Sequence, residues 1–179
     1  MGARWQWLRA LGEVRDEKAP SHPLHPEGDA LMVGPIPAPV LGQDQEVRTA
    51  ATLEEVEALL QAWGFRHERM EGDGKPYLLL HFGDLKATLQ LLLCESARCR
   101  ALLLQAVFSG FAPEDRPDRA RLNGWNREKL FSRAYLDEDG DPVLEADLDL
   151  EGGVTDGAIR AFLENFRESL REFTGWIGF

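Results

Sequence analysis

The stretch that decides the fold is residues 122–154, LNGWNREKLFSRAYLDEDGDPVLEADLDLEGGV. On either side of an acidic turn, apolar and polar residues alternate at every second position. A period of two is typical of strands with one buried face, so the stretch predicts two paired strands. The residues that alternate toward the core are Leu130, Ser132, Ala134 and Leu136 in the first strand and Leu144, Ala146, Leu148 and Leu150 in the second.

The turn between these strands fixes their register. If Asp137 and Asp141 close the hairpin, the loop has three residues and Gly140 stands third, where such a loop requires a left-handed residue. The cross-strand pairs are then Ala134 with Leu144 on the core side, and Arg133 with Glu145 and Tyr135 with Val143 on the other face. The same register therefore places an apolar pair on the core side and favourable cross-strand pairs on the other face.

The acidity of this turn also suggests a calcium loop. Asp137, Asp139 and Asp141 have the spacing of the first three ligands of an EF-hand. That loop needs glycine at its sixth position and a bidentate glutamate at its twelfth, where this chain has Pro142 and Leu148. We therefore predict a solvated turn, and we expect neither a metal nor a cofactor.

The same stretch resembles the signature of YbjN-domain proteins, which are described as bacterial sensory transduction regulators. The resemblance covers roughly residues 50–179 and is most specific in the hairpin. It is carried by the pair Asn123 and Asn126, by residues 131–137 as F-x-R-A-Y-L-D, by Leu144-Glu145, and by residues 150–154 as L-E-G-G-V. Such domains are similar in fold to type III secretion chaperones, small proteins that dimerise and hold a partner polypeptide. The resemblance implies a protein-binding domain, without implying a secretion system and without supplying catalytic residues.

Length, composition and charge limit the possible functions. The chain has 179 residues with 44% hydrophobic content, which suits one domain with an extension. Its net charge of −11 repels phosphate backbones, so direct binding of nucleic acid is not expected. Nine acidic and no basic residues lie from Asp137 to Asp156, a surface that either docks a basic partner or is only solvated.

The cysteines and the apolar segments bear on localisation. Cys94 and Cys99 have four residues between them and no second pair elsewhere, so neither a zinc site nor a disulfide framework is predicted. No apolar run is long enough to cross a membrane, and charges interrupt the N-terminus, which argues against a signal peptide or anchor. We therefore expect a cytoplasmic protein with no membrane partner.

Residues 1–48 are predicted to form an arm. Trp7, Leu8, Leu11 and Val14 share one face of a short helix over residues 4–17, and a proline-rich linker follows it. Two indoles, Trp5 and Trp7, are a large apolar area to leave in water, so the arm is expected to dock on the protein's own body or on a second subunit. The alternative is an extension whose helix forms only with a partner.

Residues 49–179 are predicted to form the folded, YbjN-like domain. A capping box at Thr52 and Glu55 begins a helix that ends at Gly64. Four strands follow, over residues 65–70, 77–82, 86–94 and 101–109, and the last two are apolar enough for central strands covered on both faces. A helix beginning near Pro117, the hairpin and a final helix capped by Thr155 complete the order α-β-β-β-β-α-β-β-α. This order predicts an α+β fold with a mainly antiparallel sheet flanked by helices.

No set of residues in the sequence carries a catalytic signature. His81 and Cys94 could be imagined as a base and a thiol nucleophile, but neither lies in a recognised setting for that role. We predict a non-catalytic regulatory or chaperone-like module that binds another protein and acts as a homodimer; the alternative is a small-molecule sensor domain or an unrecognised enzyme. The predicted partner or dimer contacts are Trp5, Trp7, Phe131, Arg133, Tyr135 and Val143.

Overall fold

The structure is a computed structural model, and it describes residues 45–72, 74–112 and 114–179. The elements in chain order are β1 (Val47–Arg48), α1 (Leu53–Ala62), β2 (His67–Gly72), β3 (Lys75–Phe82), β4 (Leu85–Glu95), β5 (Arg98–Val107), α2 (Arg119–Glu128), β6 (Arg133–Leu136), β7 (Pro142–Asp149), β8 (Val154–Thr155) and α3 (Asp156–Ile177). The α+β class and the predicted order are confirmed. The two-residue strands β1 and β8 are additional.

Six strands form one antiparallel sheet in the order β2-β3-β4-β5-β7-β6. Because side chains alternate across a sheet, one face presents a row of apolar residues that the three helices cover. The largest fully buried side chains of this core include Leu78, Leu89, Leu104 and Leu144 from the sheet and Leu60, Trp125, Phe166 and Phe173 from the helices. We call the opposite side of the sheet the outer face; one row of neighbours across it is Glu68, Leu79, Thr88, Gln105, Glu145 and Arg133.

The hairpin has the predicted register. Arg133 pairs with Glu145, and Gly140 adopts a positive φ of 79°. The Asp137 carboxylate accepts hydrogen bonds from the amides of Asp139 (3.0 Å) and Asp141 (2.8 Å), so it stabilises the turn itself. Within the part of the chain that the structure describes, no group of three or more His, Cys, Asp or Glu residues is placed to hold a metal ion.

Two predictions about strand limits and burial are wrong. β6 begins at Arg133 and not at Leu130, which is 74% exposed, because the left-handed backbone of Phe131 interrupts the strand. β4 and β5 are central strands, but they are not covered on both faces. Leu92 and Leu93 near the end of β4 are 38% and 64% exposed.

No disulfide framework was predicted for the two cysteines, but the structure contains a disulfide between them. Cys94 and Cys99 face each other across β4 and β5 and are bonded, so Cys94 is not a free thiol nucleophile. The argument for a reducing compartment from unpaired cysteines therefore no longer holds, and cytoplasmic localisation stays a prediction. None of the helices in the described ranges is both long enough and apolar enough to cross a membrane.

β1 ties the beginning of the described chain to α3. It pairs with β8, and Arg48 forms a bidentate ion pair with Asp156 at 2.5 and 2.9 Å. Asp156 is only 2% exposed, and its hydrogen bond to Arg48 raises the pKa of that guanidinium above its ordinary value. The pair is therefore a buried, charge-assisted contact between distant parts of the sequence.

The predicted capping box at the start of α1 is present. The Thr52 hydroxyl accepts from the Glu55 amide at 3.2 Å, and the Glu55 carboxylate accepts from the Thr52 amide at 2.8 Å. That second hydrogen bond, with help from Arg98, lowers the pKa of Glu55 below its ordinary value of 4.5. Stability from this group is therefore fully present above about pH 4.5 and is lost as the pH falls through the lowered pKa.

Glu55→Gln is expected to remove this part of the acid sensitivity. The variant should have a lower melting temperature than the wild type near neutral pH. The difference should shrink below about pH 4.5, as the pH falls through the lowered pKa of the wild-type carboxylate. Thermal melts by circular dichroism from about pH 7 to about pH 3 measure this. A difference that stays constant over the whole range would contradict it.

Candidate functional site

A polar network surrounds Glu145 on the outer face. Glu145 is only 7% exposed and lies between β5 and β6. Its carboxylate accepts hydrogen bonds from the Tyr135 hydroxyl at 2.7 Å, from the Gln105 amide at 3.0 Å and from Arg133. Arg133 also bonds Asp147, so one guanidinium joins two acidic residues of β7. The buried charge is thus paired and hydrogen-bonded, as a buried carboxylate requires.

The electrostatics of this network keep its donors protonated. Burial raises the pKa of the Tyr135 phenol, and the hydrogen bond to Glu145 raises it further. Burial acts to lower the pKa of Arg133, but its bonds to Asp147 and Glu145 outweigh that effect and the pKa is raised. Tyr135 therefore remains a hydrogen-bond donor at neutral pH, and the arrangement holds the outer face of the hairpin together.

The connection from α2 to β6 is fastened by two side chains of α2. Asn126 donates to the Ala134 carbonyl at 2.9 Å and accepts from the Ala134 amide at 2.7 Å, and Trp125 donates to the Ser132 hydroxyl at 3.2 Å. Since β6 is an edge strand, the Ala134 backbone groups that face away from β7 would otherwise lack a neighbouring strand. The Asn126 carboxamide takes the place of that strand.

This fastened connection presents two large apolar side chains to solvent. Leu130 and Phe131 are 74% and 67% exposed, and Phe131 has a φ of 65°. The left-handed region costs a residue with a side chain about 1–2 kcal/mol, so the surrounding contacts must impose it. Both residues border a groove of about 310 Å³ whose other side is formed by α3, including Asn165 and Ser169.

The structure brings together some of the predicted contact residues. Phe131 and Tyr135 are exposed at 67% and 38%, and Arg133 belongs to the network around Glu145. Val143 is 1% exposed and is therefore not accessible to a partner. Of the apolar contacts predicted on the hairpin, Phe131 and Tyr135 are the accessible ones. The predicted contacts Trp5 and Trp7 lie outside the described residues.

Sequence reasoning missed the roles of Trp125, Asn126 and the buried Glu145. The Asn-x-x-Asn and Leu-Glu elements of the signature contained two of them, but a motif does not show which atoms its side chains contact. The structure assigns them to the α2–β6 connection and to the outer-face network.

Comparison with known proteins identifies a family for the folded part of the chain. A family model described as "Putative bacterial sensory transduction regulator" matches residues 52–179. The chain belongs to the YbjN family. The match runs from the Thr52 cap through the hairpin and α3 to residue 179.

A solved structure has the same fold as this YbjN domain. It is the crystal structure of YbjN, described as a putative transcription regulator from E. coli, with 22% sequence identity and a TM-score of 0.55. The match covers 67% of this chain and 86% of the other. No curated protein is significantly similar to the chain.

Proposed function

We propose that this YbjN-family chain is a non-catalytic regulatory module that acts as a homodimer and binds another protein. The proposed contact region is Leu130, Phe131 and Tyr135, which we call the β6 contact surface. The family description as a regulator supports the regulatory role. The exposed apolar side chains support contact with protein, because large apolar groups such as the adjacent Leu130 and Phe131 are seldom left in water without a use.

The observation that carries this proposal is the conformation of Phe131. Glycine would adopt a φ of 65° without steric cost, yet the chain has an exposed phenylalanine at this position. The exposed ring adds little buried area to the fold, whereas the left-handed backbone of Phe131 destabilises it. An unfavourable backbone at an exposed residue, next to a segment that Trp125 and Asn126 hold in place, supports a role in binding.

The outer-face network supports the non-catalytic part of the proposal. The Glu145 carboxylate accepts from three different side chains, which hold it in place as a structural anion. A general base needs an oxygen that can approach a substrate proton. Glu145, at 7% exposure, is better suited to position β6 than to transfer protons.

Substitutions of Phe131 test the β6 contact surface. Phe131→Ala removes the ring and keeps the left-handed backbone strain, whereas Phe131→Gly removes both. Each is expected to weaken dimerisation by about 10–100-fold, the equivalent of about 1.5–3 kcal/mol for one buried aromatic side chain. The Gly variant should also be about 1 kcal/mol more stable than the Ala variant, because its backbone strain is relieved. Light scattering across a concentration series and urea unfolding measure the two effects.

Leu93 is a matched control, because it is also exposed (64%) and left-handed (φ 55°). Leu93→Ala and Leu93→Gly should show the same order of stability and leave the dimer mass unchanged. A wild-type chain that is monomeric at tens of micromolar would refute the homodimer. A dimer that survives Phe131→Ala but not Leu93→Ala would move the interface to β4.

A further inference from the structure

The disulfide occupies a particular position in the β4–β5 hairpin. Cys94 pairs with Cys99, and the next pair toward the turn is Glu95 with Arg98. The Cys99 amide and carbonyl both hydrogen-bond to Ala51 on the other side, at 2.8 and 2.9 Å. The cysteines are therefore a non-hydrogen-bonded pair, the position in an antiparallel ladder where opposite side chains lie closest.

The hairpin holds these two sulfurs together whether or not they are bonded. Strand pairing continues on both sides of the cysteines, through Leu92 with Ala101 and through Glu95 with Arg98. The bond closes a loop with a sequence separation of only 5, which restrains the unfolded chain less than a long loop would. We therefore expect that the bond can open without unfolding the sheet.

The two sulfurs differ in access. Cys94 is exposed, whereas Cys99 is 5% exposed. Both line a groove of about 540 Å³ whose walls include Pro76 and the leucines at the end of β4. Because Cys94 is the more exposed of the two, a small molecule in this groove reaches Cys94 more easily than Cys99. The rate of thiol–disulfide exchange depends on this kind of access.

The backbone on both sides of Cys94 is unusual. Leu93 and Ser96 have φ values of 55° and 58°, although neither is a glycine. Together they account for two of the three left-handed residues other than glycine in the described part of the chain. Ser96 belongs to the hairpin turn, where a positive φ is usual, whereas Leu93 lies within β4 directly before Cys94, and conformations of that kind concentrate at functional sites.

We propose that Cys94 and Cys99 form a reversible thiol–disulfide exchange site for a low-molecular-weight thiol of the glutathione type. The thiolate of this molecule attacks the Cys94 sulfur and forms a mixed disulfide. The Cys94–Cys99 bond breaks, and its electron pair leaves on Cys99, which takes a proton from water. A second thiol then attacks the mixed disulfide and releases Cys94. Overall, two small thiols are oxidised to their disulfide and the protein pair gains two electrons and two protons.

This site is independent of the β6 contact surface. Cys99 is near the first residue of β5, whereas Val107 at the last residue of β5 lies in the row of Val143 and Tyr135. Dimer mass and redox state can therefore be measured separately, and failure of one proposal leaves the other standing.

The test uses the full-length chain in glutathione buffers of varied ratio, followed by acid quenching, maleimide labelling and mass spectrometry. We expect one reversible two-electron transition with an unchanged circular dichroism spectrum. The reduced form should melt at a temperature lower by less than about 10 °C. With oxidised glutathione, Cys99→Ala should form an adduct at Cys94 at least about tenfold faster than Cys94→Ala forms one at Cys99.

Trapping the mixed disulfide of the wild type at short times identifies the attacked sulfur without substitutions. The first mixed disulfide should map to the peptide that contains Cys94. The exchange site is refuted if reduced glutathione opens the bond only after the chain is unfolded with denaturant. Equal rates of adduct formation at the two cysteines, or a pair of thiols that persists in oxidised glutathione, would refute it as well.

Discussion

Replacing Arg48 with methionine is expected to destabilise the fold by about 3–5 kcal/mol, the usual cost of leaving one partner of a buried ion pair without the other. Asp156 is 2% exposed and receives two hydrogen bonds from the guanidinium, at 2.5 and 2.9 Å. Methionine preserves most of the side-chain volume but leaves this carboxylate unpaired. Urea unfolding should show a lower midpoint with an unchanged slope, because the surface exposed on unfolding stays similar.

An exposed ion pair provides the matched control. Arg171 bonds Glu168 three residues earlier on α3, and its side chain is 68% exposed. Arg171→Met should leave the urea midpoint nearly unchanged, because solvent screens an exposed ion pair. In addition, Arg48→Met combined with Asp156→Leu should recover much of the loss, since no buried charge then lacks a partner. Similar costs for Arg48→Met and Arg171→Met would show that burial of the Arg48 pair contributes nothing.

The second large effect is expected for Asn126→Ala. It removes both hydrogen bonds between the Asn126 carboxamide and the Ala134 backbone, and it leaves edge groups that only water can satisfy. The expected loss is about 1–3 kcal/mol. These bonds hold Ala134, three residues after Phe131, so the variant is also expected to loosen the connection that carries Phe131. It should therefore dimerise more weakly although every residue of the β6 contact surface is intact.

The neighbouring signature residue Asn123 is the control for this experiment. It is exposed, and its side chain makes no hydrogen bond to another described residue. Asn123→Ala should therefore change neither the unfolding midpoint nor the dimer mass by a measurable amount. Hydrogen exchange of residues 129–134 gives an independent measurement, with faster exchange expected in Asn126→Ala only. Equal exchange in both variants would show that Asn126 does not hold the connection.

The features predicted correctly from the sequence depend on nearby residues. The hairpin register follows from Gly140 and from the alternation around it, and the start of α1 follows from Thr52 and Glu55 within a single turn. In these places the local conformational preferences agree with the final fold, so a short window of sequence is enough to predict the hairpin register and the start of the helix.

The features that were missed depend on contacts between distant residues. Alternation predicted a strand from Leu130, but Phe131 is left-handed, and Trp125 and Asn126 bond residues that follow it in the chain. The cysteine pairing depends on a turn at Ser96-Ala97 without glycine, so the sequence has no clear signal that Cys94 and Cys99 face each other. Arg48 and Asp156 are 108 positions apart, and nothing near either residue indicates the other.

That separation has a consequence for the order in which the protein is assembled. While the ribosome synthesises the chain, the β1 strand and the Arg48 side chain emerge long before β8 and Asp156 do. Closing so long a loop is an entropic cost that local contacts cannot offset in advance. The pairing of β1 with β8 and the ion pair of Arg48 with Asp156 are therefore expected to form late, after the six-stranded sheet has begun to assemble. A nascent chain that stalls before residue 156 consequently leaves β1 without its partner.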